Sequence, residues 1–236
     1  EMCIRDSYPS ARGLEVTGNA GETRSRVSPA LQTEATEWAV PTLQSCRHWV
    51  FDMDGTLTVA VHDFPAIKRA LGIPQEDDIL HHLAALPADE AAAKHAWLLE
   101  HERELALGSV AAPGAVELVR HLHGRGCRLG ILTRNAHELA LLTLDAIGLG
   151  HCFESHDVIG RDEAPPKPHP GGLLHLAARW QVQPGALVMV GDYRFDLDCA
   201  RAAGARGVLV NLPENPWPEL TDLHAVDCGK LLGLLG

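Results

Sequence analysis

Asp52 and Asp54 directly follow the short apolar run His48-Trp49-Val50-Phe51, Thr133 follows the run 127–132, and Asp192 and Asp196 follow the run 187–190. Lys167 stands between Pro165-Pro166 and Pro168. Four carboxylates brought into one pocket would repel one another. A hard divalent cation relieves that repulsion, and Mg²⁺ takes oxygen ligands of this kind, usually one or two carboxylates with water and substrate phosphate. Thr133 would then offer a hydroxyl, and Lys167 a positive charge. Arg134 and Asn135 would open a helix whose free N–H groups favour a phosphate. The set suits a phosphoryl group. The spacing Asp52-x-Asp54 places both carboxylates on one side of an extended strand end, so one can attack while the other exchanges protons. Gly55 lets the chain turn sharply directly after them.

Such residues must be carried to one rim. The runs 48–51, 127–132, 187–190 and 208–210 are short, apolar and bounded by glycine or polar residues. Runs of this kind suit strands buried on both faces of a parallel sheet. Helical patterns lie at 115–123, 136–147, 172–180 and 195–203. This alternation predicts an α/β fold, a doubly wound parallel sheet that binds ligands at the carboxyl ends of its strands. Residues 61–110 break the alternation with helical stretches at 64–71, 77–86 and 89–107, punctuated by Pro74, Pro87 and Pro113-Gly114. They read as a small helical insertion seated above the sheet as a lid. Residues 1–45 follow neither period and read as a flexible leader, with a short helix over 32–40 ended by Pro41. The opening Cys3-Ile4-Arg5-Asp6-Ser7 has the look of adaptor-derived, non-native sequence. The expected domains are therefore the leader 1–45, a core of 46–60 with 111–236, and a helical cap of 61–110.

The 236 residues are 46% hydrophobic with a formal net charge of −11, which suits a globular core and disfavours a general nucleic-acid binder. Six scattered cysteines without C-x-x-C spacing read as reduced thiols in a cytoplasmic setting. Fourteen histidines form no H-E-x-x-H pattern and read as surface residues rather than a zinc site. No long apolar run predicts a membrane span, and no h-region predicts a secretory signal. Trp97 on the lid helix could line the substrate pocket, whereas Arg103 and Glu104 read as a solvated face.

The segment from Asp52-Met53-Asp54-Gly55-Thr56 to Leu57-Thr58 resembles the first motif of the haloacid dehalogenase superfamily in its phosphatase form. Thr133 resembles the second motif, Lys167-Pro168-His169-Pro170 the third, and Gly191-Asp192-Tyr193-Arg194-Phe195-Asp196 the fourth. Tyr193 stands where a small serine is frequent. The resemblance runs from about Trp49 to the end of the chain, with the insertion placed as in phosphoglycolate-phosphatase-like members that carry a helical type-1 cap. It implies that Asp52 is a nucleophile forming an aspartyl phosphate, and that Asp54 is the general acid and base. Only about 0.1% of a free Asp is protonated at pH 7, so that role requires Asp54 to sit where its pKa is raised. The resemblance further implies Mg²⁺ held by the Asp52 side chain, the Asp54 backbone carbonyl and Asp192. Thr133, Arg134 and Lys167 would bind the phosphoryl group. Asp196 would position Lys167 or a metal-bound water, cap the helix that begins near Phe195, or do both.

The expected activity is Mg²⁺-dependent hydrolysis of a small phosphorylated metabolite, with no nucleic-acid or membrane partner. Phosphoglucomutase-like transfer to a second sugar hydroxyl is the alternative within the fold. Phosphonate hydrolysis would need a Schiff-base lysine from the insertion, Lys68 or Lys94. Dehalogenation is disfavoured because those relatives lack an acid where Asp54 stands. A non-enzymatic scaffold of the same fold is the remaining reading.

Overall fold

A computed structural model describes residues 40–60, 64–77 and 79–236. Six strands form one all-parallel sheet: β1 (His48–Phe51), β2 (Arg128–Leu132), β3 (Val158–Ile159), β4 (Leu187–Gly191), β5 (Arg206–Val210) and β6 (Leu223–Ala225). Their spatial order is β3-β2-β1-β4-β5-β6. The first strand thus lies in the middle, and the order reverses beside it, where a doubly wound sheet opens its crevice. β1 pairs with β2 from His48↔Arg128 to Phe51↔Ile131, and with β4 from His48↔Leu187 to Phe51↔Val190. That register brings the chain beyond Phe51, Leu132 and Gly191 out at one edge.

Among the described residues the helices are α1 (Val40–Ser45), α2 (Phe64–Leu71), α3 (Ile79–Ala84), α4 (Ala88–Leu107), α5 (Ala115–Gly124), α6 (His137–Ala146), α7 (Gly171–Trp180), α8 (Arg194–Ala203) and α9 (Cys228–Leu234). Side chains alternate across the sheet. Trp49 and Phe51 join Leu118, Leu122, Leu144 and Leu231 on one face, while Val50 joins Leu173, Leu176 and Cys199 on the other. Both faces are covered, as a parallel sheet requires. The helices between β1 and α5 have an apolar cluster of their own, built on Ile67, Leu71, Ile79, Leu83 and Leu98.

Two short strands, β3 and β6, and two helices, α1 and α9, extend beyond the sequence reading. The last six residues assigned to the leader form α1, whose Leu43 is buried against the core. Pro41 lies in the first turn of that helix, where its missing N–H costs nothing. Val40 alone of the helix expected over 32–40 lies within the described residues. The helix predicted from 136 begins at His137, so Arg134 and Asn135 lie in the loop before it.

Candidate active site

Asp52 leaves β1 with its backbone N–H still donating to Val190 at 2.9 Å, so its position is fixed by the neighbouring strand. Gly55 takes φ 86°, a left-handed turn that favours glycine. The chain folds back at once: Leu57 and Thr58 N–H groups both donate to the Met53 carbonyl, at 2.9 and 3.0 Å. Asn211, the residue after β5, holds this turn from outside, its Nδ2 donating to the carbonyls of Gly55 at 2.8 Å and Thr56 at 2.9 Å.

Lys167 is the centre of the site. Its Nζ donates to Asp52 Oδ1 at 2.5 Å and to Asp196 Oδ1 at 2.7 Å, with Lys167 only 4% exposed. Burial alone would pull the ammonium pKa down, but the carboxylates of Asp196 and Asp52 outweigh it and hold the pKa above its ordinary value. The other oxygen of Asp196 accepts the Tyr193 N–H at 3.1 Å and caps α8. Asp196 therefore both caps the helix and anchors Lys167. Gly191 makes this possible, since a Cβ there would collide with the Asp196 side chain.

Asp192, at the end of β4, faces Asp52 across the Thr56 hydroxyl. Thr56 Oγ1 donates to Asp192 Oδ1 at 3.3 Å and lies 3.5 Å from Asp52 Oδ2. One oxygen from each of Asp52, Asp192 and Asp196 falls within 4.8 Å of the others. The donor set is entirely oxygen, which fits a hard divalent cation. Both Asp196 oxygens are engaged, one by Lys167 and one by the Tyr193 N–H, whereas Lys167 takes only one oxygen of Asp52, so Asp52 Oδ2 and Asp192 fit it best.

Asp54 turns elsewhere. Its Oδ2 accepts from Asn135 Nδ2 at 2.7 Å, while the Asn135 N–H donates to Thr133 Oγ1 at 3.2 Å. Asn135 thus links the predicted acid/base to the predicted phosphate-binding hydroxyl, and Thr133 is buried at the end of β2. The Arg134 guanidinium lies 5.7 Å from the centre of the Phe195 ring, against the first turn of α8. Glu102, Leu105 and Ala106 of α4, with Ser109 just beyond its end, close over Asp54 and Asn135 and leave a cavity of only about 10 Å³. Trp97 does not reach it: it is 42% exposed and stacks on His101.

Glu102, Asn211 and Thr56 escaped the sequence reading as functional candidates. Asn211 carries the same signal as Asp52, a polar residue at the end of an apolar run. Glu102 had a different one: it falls on the apolar stripe Leu98, Glu102, Ala106, which is the buried side of α4.

An all-parallel sheet that gathers carboxylates and a buried lysine beyond the carboxyl ends of its central strands has the arrangement in which α/β proteins bind their ligands. The chain belongs to the haloacid dehalogenase-like hydrolase family, whose profile matches residues 46–204. It is similar to a haloacid dehalogenase-like hydrolase domain-containing protein of Arabidopsis thaliana, 36% identical over 174 residues that cover 67% of this chain and 68% of that one. A phosphoglycolate phosphatase of Shigella flexneri is 29% identical over 178 residues, covering 74% of this chain and 67% of its own. A solved structure described as a predicted phosphoglycolate phosphatase from Haemophilus somnus superposes with a TM-score of 0.65 at 20% identity. It covers 81% of this chain and 98% of that one, and the likeness is one of fold. No helix among the described residues is long and apolar enough to cross a membrane.

Proposed function

We propose that this enzyme is a phosphatase that hydrolyses a small phosphorylated metabolite through an aspartyl phosphate on Asp52, with residues 61–110 as its cap. The observation that carries the reading is the Lys167 ammonium held between Asp52 and Asp196. It lies beside the attacking carboxylate, where negative charge gathers as a phosphoryl group transfers.

In the first step an Asp52 oxygen attacks phosphorus and the bond to the leaving oxygen breaks, while Asp54 gives that oxygen a proton. In the second, Asp54 takes a proton from water, whose oxygen attacks the aspartyl phosphate and frees Asp52 and inorganic phosphate. The Asn135 amide fixes one Asp54 oxygen and so orients the carboxylate. Thr133 and Lys167 bind the phosphoryl oxygens, and Arg134 borders them. Mg²⁺ would be held by the carboxylates of Asp52 and Asp192 with the Asp54 backbone carbonyl, and when bound it neutralises charge on the phosphoryl oxygens. The cap excludes water and meets the leaving group.

Phosphonate hydrolysis is less well supported. Lys68 donates to the Gln75 carbonyl at 2.7 Å and Lys94 pairs with Glu90 at 3.1 Å, both within the insertion. A phosphate-release screen over a panel of metabolite esters, with Mg²⁺ and with chelator, tests the proposal beside Asp52→Asn. Release should require the metal and vanish in the variant. Equal release by Asp52→Asn would exclude Asp52 as nucleophile, and a product retaining phosphate on a second carbon would favour the mutase.

A further inference from the structure

Glu102 is a charged residue in an apolar place. Leu98 and Ala106, one turn before and after it, are buried, and an apolar side chain at 102 would continue their stripe. Arg103 and Glu104 beside it are exposed, yet Glu102 is only 7% exposed. A buried carboxylate is costly without a partner. Glu102 Oε1 accepts from Arg161 Nη1 at 3.4 Å, across 59 residues, from the insertion to the loop after β3. The Arg161 backbone N–H donates to the Asn135 carbonyl at 2.9 Å. Asn135 in turn donates to Asp54 at 2.7 Å. Glu102, Asn135 and Asp54 also line one cavity, so the two ends of this chain of contacts meet across it.

We propose that Glu102 is a positioning residue: by clamping Arg161 it ties the seated cap to the loop that carries Asn135, and through Asn135 it sets the Asp54 carboxylate. Its effect on rate rests on the phosphatase reading, whereas the clamp itself can be measured without catalysis. When the cap lifts, Arg161 loses its partner on α4 and the Asn135 loop loses its support. Proton transfer by Asp54 is thereby coupled to closure. The clamp acts on the acid/base residue and not on the leaving group, so it affects all substrates alike.

The test uses the full chain with Glu102→Gln, Arg161→Gln, the double variant, and Glu102→Leu, which fills the apolar stripe and separates clamping from stability. Hydrogen exchange is read over α4 and over residues 133–139 without substrate. Steady-state kinetics are measured with two phosphate esters of unlike leaving groups in Mg²⁺. Each single variant should speed exchange in both segments and lower kcat about tenfold on both esters, with KM changed less than about twofold. The double variant should lose no more than either single one. Glu102→Leu should lose kcat to the same degree while matching or exceeding the wild-type thermal midpoint. Multiplying losses in the double variant, unchanged exchange at 133–139, or a loss confined to one ester would overturn the clamp. If the wild type releases no phosphate, the phosphatase reading fails and the exchange data alone decide the clamp.

Discussion

Lys167 and Asp196 meet at 2.7 Å, joining the proline-flanked loop before α7 to the first turn of α8. Both residues are buried, and removing Asp196 leaves Lys167 with Asp52 while stripping α8 of its cap. Asp196→Ala should destabilise the fold by about 1–3 kcal/mol, as losing a charge-assisted hydrogen bond and a helix cap does. Asp196→Asn keeps an oxygen for the Tyr193 N–H and should lose less. Urea denaturation of both variants measures the difference, and equal losses would show that the charge and not the cap dominates.

The same pair gives a pH dependence with a definite sign. The folded-state pKa of Lys167 is raised above its ordinary value of 10.5. The stability it contributes is therefore whole below pH 10.5 and is lost as pH rises through the folded value. Unfolding free energy should fall more steeply above that pH in the wild type than in Lys167→Met. Parallel curves from urea titrations between pH 9 and 12 would contradict this.

Asn211 adopts φ 61° and donates twice to the turn that carries Asp54. Asn211→Gly keeps the backbone conformation and loses both bonds, which should cost about 1–3 kcal/mol. Asn211→Ala adds left-handed strain and should cost about 1–2 kcal/mol more. Chemical denaturation separates the two, and kcat should fall in both because the Gly55–Thr56 turn loosens.

Burial pushes the thiols of Cys199 and Cys228 up to about 12. At pH 8 their thiolate fractions fall about a thousandfold below that of an ordinary cysteine. Iodoacetamide should leave both unlabelled in the native protein and modify both in urea, with Cys46, which is partly exposed, reacting first among the described cysteines. Peptide mapping reads the order directly. Rapid native labelling of Cys199 would show that the core around Lys167 opens.

The strands that carry Asp52, Thr133 and Asp192 were legible because each is a continuous apolar run with an abrupt polar end. β3 and β6 were not, because two and three residues are too few to show a period. α9 escaped because Gly229 and Gly233 interrupt its apolar pattern. Asp196 and Lys167 could be named from their spacing, but their contact could not, since it joins segments 29 residues apart through a fold. Glu102 shows the opposite limit. Its place on a buried stripe was visible in the sequence, but its partner, Arg161, is supplied only by the way α4 seats against the loop after β3.

The neck of the insertion is an antiparallel clasp. Val59 N–H donates to the Val110 carbonyl and Ala112 N–H to the Leu57 carbonyl, each at 2.9 Å, with Thr58 bridged to Ala111. The polypeptide enters and leaves the inserted helices at adjacent points, so that module could be shortened, enlarged or exchanged without stretching the sheet. If the insertion is the cap of the proposed phosphatase, a lineage can thereby alter which molecules are admitted while the groups beneath stay as they are.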